Sequence, residues 1–292
     1  LSDWDESEHP RHPEGSGRRS GRFRNKTSGW VQVVADRLGL PSARKLLEDP
    51  DTNDIPQMAA FEGRYGRGGR MIVRDVRAHK IGGGHDDALS VFSPHGHLDI
   101  SGEIASDDSD EGEGGYFRIT ATRSREEQPT DPLKWVAHID RMHARSAGGA
   151  GGGRELTQRF IDWFRQSGFD EITVGPSEVG NYAWGAMGFD FHDRESRRSA
   201  WEGAMTMTVQ SVRDWFRHEG RSYDLDDSDL TDAQIKKMIG QYKRAATVAL
   251  AGGMSYQRLS QYGRTKGQDS SGWWAGKLGL LVGGVGGGRI KL

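Results

Sequence analysis

The stretch RSAGGAGGGRELTQRFIDWF, residues 145–164, decides the fold, because five glycines run straight into a segment with helical periodicity. Leu156, Phe160, Trp163 and Phe164 recur at three- and four-residue spacing, which predicts an amphipathic helix from about Arg154 to Ser167. Gly168 then stands where a left-handed C′ residue closes a helix. Glycine costs roughly 1 kcal/mol relative to alanine inside a helix and gives up the most entropy on folding. A run of it before a helix start is therefore either slack or a place where something approaches the backbone closely. The first N–H groups of a helix have no intrahelical partner, and the macrodipole makes that end attractive to an anion.

Working outward, strands surround this unit. LKWVAHIDRMHAR, residues 133–145, reads as a strand that leads into the glycines, and GYFRITATR, residues 115–123, alternates Phe117, Ile119 and Ala121 with Arg118, Thr120 and Thr122. ALSVFSPHGHLDISGEIA, residues 88–105, predicts a hairpin with Leu89 and Val91 before a Pro-His-Gly turn and Leu98, Ile100 and Ile104 after it. RMIVRDV, residues 70–76, is a short strand, 50–69 is loop-like, and GGGHDD, residues 82–87, is a turn. Downstream, EITV (171–174) is a strand, and VGNYAWGAMGF (179–189) opens a short helix that stops at Gly188. Residues 198–218 read as one helix, and a second starts at the N-cap Thr231 and runs to about Ala251. Residues 272–292 form a glycine-rich docked tail, and 30–47 hold one or two short helices.

Composition bounds the rest. The 292 residues include no cysteine, which removes disulfides, thiolate metal sites and thiol catalysis together. A formal net charge of -2 does not fit a dedicated nucleic-acid-binding protein. No apolar run approaches the roughly 18 residues that would span a bilayer, so no membrane partner is expected. Residues 1–29 are rich in Pro, Gly, Ser and Arg, the composition of a flexible basic arm, whose sharper reading is a docking arm that orders on a partner or on nucleic acid phosphates. The carboxylates of SDDSDEGEG, residues 106–114, lack EF-hand spacing and read as a solvated loop, so no metal is expected.

Two nucleotide motifs fail on the glycine run. No lysine follows it as a P-loop requires, and Gly149-x-Gly151 is followed by Gly152, Gly153 and Arg154 rather than a dinucleotide fingerprint. Arg145-Ser-Ala-Gly148-Gly149-Ala150 does satisfy [QR]-x-x-G-x-[GA]. With a strand before it and helix, strand and GNYAWGAMGF after it, residues 88–192 resemble the GNAT family of N-acetyltransferases. The resemblance implies an α+β fold with a GNAT-like mixed sheet and flanking helices. It also implies acetyl-CoA as cofactor, held by Arg145, Gly148, Gly149, Ala150, Gly151 and Gly153, with Gly149-x-Gly151 an alternative register. His138, Asp140 and Tyr182 are the candidates for proton transfer. Where enzymes of this family often carry a tyrosine four residues before the Gly-Phe pair, Trp184 stands here, and an indole cannot protonate a thiolate.

A second resemblance concerns biology. WDESEHPRHPEGSGRRSGRF (residues 4–23) resembles the linker of minor-head and portal-associated proteins of actinobacterial phages and prophages, and WWAGKLGLLV (273–282) resembles the ends of actinobacterial phage-type proteins that carry an acetyltransferase-like domain. That implies a virion component, or a protein of the bacterial cytoplasm, with portal or capsid proteins as partners. The domain plan is then an arm (1–29), short helices and loops (30–87), the GNAT-like core (88–192), and a helical extension ending in the glycine-rich tail (193–292). Two functions stay open: a virion protein whose GNAT-like domain is catalytically degenerate, and an active N-acyltransferase that moves an acetyl group to an amine. Glu111-Gly-Glu113 matches the Glu-x-Glu of ADP-ribosyltransferases, without the other motifs such an enzyme needs.

Overall fold

The structure is a computed structural model that describes residues 37–39, 54–55, 61–66, 71–81, 97–106, 115–124, 134–143, 152–176, 180–220, 225, 230–266, 268 and 272–292. The chain divides into two compact units, one of residues 1–171 with Leu292 and one of residues 172–291.

The first unit is an antiparallel sheet with a helix on its apolar face. Its strands are β1 (Asp54–Ile55), β2 (Gly63–Tyr65), β3 (Met71–Ile81), β4 (His97–Ser106), β5 (Gly115–Ser124) and β6 (Lys134–His143). The last four pair in chain order, with β1 and β2 both on β3. Alternation sends Leu98, Ile100, Phe117, Ile119, Ala137 and Ile139 to one face, where all are buried. Helix α1 (Gly152–Gln166) covers that face with Leu156, Phe160 and Phe164. The Phe160 ring stacks on Phe61 at 4.9 Å and lies 5.1 Å from Phe117. As the sequence predicts, α1 closes at Gly168, whose φ of 72° suits glycine, with Phe169 N–H donating to Phe164 O and Gly168 N–H to Arg165 O.

The second unit is mostly helical. It holds β7 (Glu171–Val174), α2 (Gly180–Ala186), β8 (Asp190–Phe191), α3 (Arg194–Thr206), α4 (Val209–His218), α5 (Asp232–Leu250), α6 (Tyr256–Ser260), α7 (Ala275–Gly283) and β9 (Gly288–Lys291). Strand β9 lies between β7 and β8. Leu278, Leu280 and Leu281 of α7 are buried, and its glycines admit neighbours at backbone distance. A Cβ on Gly276 would stand 2.0 Å from Leu259 O, and one on Gly279 2.1 Å from Tyr242 Cγ. No described helix is long and apolar enough to cross a membrane.

An α+β class is what the sequence predicts, and β5, β6, β7, α2 and α5 fall where its periodicity puts them. Five expectations are corrected. β4 runs between β3 and β5, so both its edges are taken where a hairpin partner was expected; Leu89 and Val91 lie outside the described residues. The strand read from RMIVRDV continues to Ile81 through a bulge at Arg74–Arg77, with Asp75 at a φ of 51° and Val76 N–H donating to Glu62 Oε1 at 3.0 Å. The single helix over 198–218 is two, because Thr208 and Ser211 form a capping box that starts a new helix. The loop at 50–69 contains β1 and β2, and the docked tail contains α7 and β9.

Candidate functional site

Strand β6 carries two of the sequence candidates, and its pairing explains why they meet. Thr120 stands directly opposite His138 on β6 and directly opposite Asp99 on β4, so all three share the face turned away from α1. The register then slips: Ile119 pairs with Ile139 but Arg118 with Arg141, which leaves Asp140 as the extra residue of a β-bulge. A bulge leaves one residue unpaired in the ladder and re-aims its side chain. Here it keeps Asp140 on the polar side, with His138 Nε2 at 3.9 Å from its Oδ1. Both side chains are half-buried, open enough to meet a solute and shielded enough to act on it.

Behind this pair lies a hydrogen-bonded file that sequence reasoning missed. Thr120 Oγ1 is 2.6 Å from Asp140 Oδ2 and 3.1 Å from Asp99 Oδ1. Asp99 is fully buried, and Arg118 reaches its Oδ2 through Nε at 2.6 Å and its second guanidinium nitrogen at 2.5 Å. A buried carboxylate without such a partner would carry a penalty of several kcal/mol, so the Arg118 fork is what allows Asp99 to be there. The only signal in the sequence was that Asp99, Arg118 and Thr120 sit at polar positions of alternating strands; the register that aligns them is not local information.

The glycine candidates divide. Arg145, Gly148, Gly149, Ala150 and Gly151 lie outside the described residues. Gly152 and Gly153 form the first turn of α1. A Cβ on Gly152 would meet Met71 Cβ at 2.8 Å, so that glycine serves packing. A Cβ on Gly153 would meet no atom of the described residues within 4 Å. Glu155 in the same turn is engaged: its Oε2 accepts from Gly66 N–H at 2.8 Å.

Tyr182 belongs to the second unit, on α2. Its ring packs edge-on against Trp274 at 5.8 Å. Burial pushes its hydroxyl above the usual tyrosine range, against hydrogen bonding to Gln261 and the charge of Arg264. Trp184 is buried on the same helix with its ring against Phe189 at 5.3 Å, as a core residue would be. Among the described residues no group of three or more His, Asp or Glu side chains is placed to hold a metal ion.

No family model, curated protein or solved structure matches the chain.

Proposed function

We propose that the protein is a GNAT-like acyltransferase that moves an acyl group, acetyl in the simplest case, from acyl-CoA to an amine. The observation that carries this reading is the bulge in β6, which sets Asp140 beside His138 on the strand that leads into the glycines and α1. Acyl-CoA supplies a thioester already activated for attack. What supports it is that, among the described residues, no atom stands within 4 Å of a Cβ on Gly153 in the first turn of a helix, where an anion is favoured. Arg145 and the glycines and alanine of 148–151 would extend the cradle. With acyl-CoA bound, an amine nitrogen would attack the thioester carbonyl carbon and the carbon–sulfur bond would break with release of the CoA thiolate. Asp140 or His138 takes the proton that the amine loses, and an N–H group of the bulged strand would polarise the thioester carbonyl.

A virion-associated component that keeps the same domain for its shape is the second reading. Buried Trp184 favours it, since that side chain offers no acid to the leaving thiolate. Portal or capsid proteins would be its partners, with packaged DNA on the basic arm. The experiment that separates the two is release of free thiol from acetyl-CoA against a panel of amines. Amine-dependent release that falls at least a hundredfold in Asp140→Asn with His138→Gln supports the enzyme. No release from any amine, with the protein found by mass spectrometry in purified phage particles, supports the structural role.

A further inference from the structure

The polar file behind Asp140 holds a hydroxyl with one proton and two carboxylates to give it to. Thr120 Oγ1 lies 2.6 Å from Asp140 Oδ2 and 3.1 Å from Asp99 Oδ1, yet it can donate to only one of them at a time. Arg118, on the far side of Asp99, donates to its other oxygen through two guanidinium nitrogens. Thr120 is itself buried, so water does not compete for its proton.

We propose that Thr120 is a positioning residue, a hydroxyl switch backed by Asp99 and Arg118 that turns its proton from Asp140 to Asp99 when Asp140 accepts one from substrate. With Asp140 ionised, Thr120 donates to Asp140 Oδ2 and fixes the carboxylate in the plane that presents Oδ1 beside His138. When Asp140 takes a proton on the oxygen beside His138, its carboxyl group turns about Cβ–Cγ to bring the new O–H to Thr120 Oγ1, and the Thr120 proton rotates to Asp99 Oδ1. No covalent bond changes beyond the protonation of Asp140, and every donor keeps an acceptor in both settings. Arg118 and Asp99 touch no substrate in this scheme; they supply the fixed acceptor without which the hydroxyl has nowhere to turn.

The inference rests on the acyltransfer reading for its purpose, but its geometry is testable without any ligand. Two substitutions lock opposite settings. In Asp140→Asn the new amide N–H donates to Thr120, so the hydroxyl points at Asp99. In Asp99→Asn the amide keeps its oxygen on Arg118 and donates to Thr120, so the hydroxyl points at Asp140. The measurement is the Thr120 hydroxyl proton by NMR on the full chain, where burial slows its exchange with water. The expected result is two distinct resonances, with the ligand-free native protein matching Asp99→Asn. A hydroxyl signal that is the same in both variants, or absent from the folded native protein, overturns the switch. Asp140→Asn changes a half-buried group and keeps the test available should Asp99→Asn not fold.

Turnover gives the second readout. Thr120→Val should lower kcat about tenfold with KM for acetyl-CoA unchanged, and Thr120→Ser should restore it. Failure of Thr120→Ser to rescue a folded Thr120→Val defect counts against the switch. Absence of acetyl-CoA binding counts against the acyltransfer reading and leaves the NMR result standing.

Discussion

Replacing Gly152 and Gly153 one at a time by alanine should move stability in opposite directions, although the two are neighbours in one helical turn. At Gly153 the added methyl meets no atom of the described residues within 4 Å, so the change acts mainly by restricting the unfolded chain, a gain of about 0.5 kcal/mol. At Gly152 the same gain is opposed by a methyl 2.8 Å from Met71 Cβ and 3.0 Å from its Sδ. The sulfur end of methionine can turn aside, but the Cβ moves only with β3, so the overpacking cost is on the order of 1–3 kcal/mol. The net expectation is a loss of about 1–2 kcal/mol at Gly152 and a spread of about 2 kcal/mol between the variants. Urea unfolding followed by tryptophan fluorescence reads this directly. With a slope of about 2 kcal/mol per molar, the two midpoints differ by roughly 1 M. Midpoints that shift in the same direction, or a Gly152→Ala protein as stable as the parent, would refute the packing argument.

Phe160→Ala removes a ring fully buried between Phe61 and Phe117 and should cost about 3–5 kcal/mol in the same assay. Tyr242→Phe should stabilise the second unit by about 1 kcal/mol, because the buried Tyr242 hydroxyl has no hydrogen-bond partner among the described residues; a loss of stability would mean that the hydroxyl is satisfied. At the N-cap of α3, burial alone would raise the Asp193 carboxyl, but hydrogen bonds from His192 Nδ1 and from Ser196 N–H and Oγ outweigh it and hold it at about 2, below its usual 3.8. A lowered value in the folded state means that this stabilisation is present above about pH 4 and lost as pH falls toward 2. Asp193→Ala should therefore cost about 1 kcal/mol at neutral pH and clearly less near pH 2, as equilibrium unfolding at the two pH values would show.

How much of this was legible in the sequence follows from how local each signal is. Alternation placed β5 and β6, and helical spacing with Gly168 placed the body and end of α1, because those patterns are written within ten or fifteen residues. The start of α1 lies two residues earlier than Arg154, because glycines carry no periodic side chain to read. The break at Thr208 was missed because a Thr-x-x-Ser pair inside an apolar periodicity looks like continued helix until the side chains are seen to cap. The tail concealed α7 for a different reason: its low helix propensity is overridden by burial, and Gly276 and Gly279 are needed where Leu259 and Tyr242 come close. His138 and Asp140 were readable as neighbours on one strand. Asp99 and Arg118 became visible only through pairing of β4 with β5, and the bulge that keeps Asp140 with His138 only through pairing of β5 with β6.

The central claim is that the strand, the glycines and the opening turn of α1 form an acyl-CoA cradle, and calorimetric titration of the purified chain with acetyl-CoA tests it most directly. The account predicts saturable binding to one site, a rise in unfolding free energy of roughly 2.7 kcal/mol at about 100 times Kd, and weaker binding by Gly153→Ala despite its more stable fold. No heat and no thermal shift at millimolar acetyl-CoA would contradict it, and would leave the glycines as shape alone.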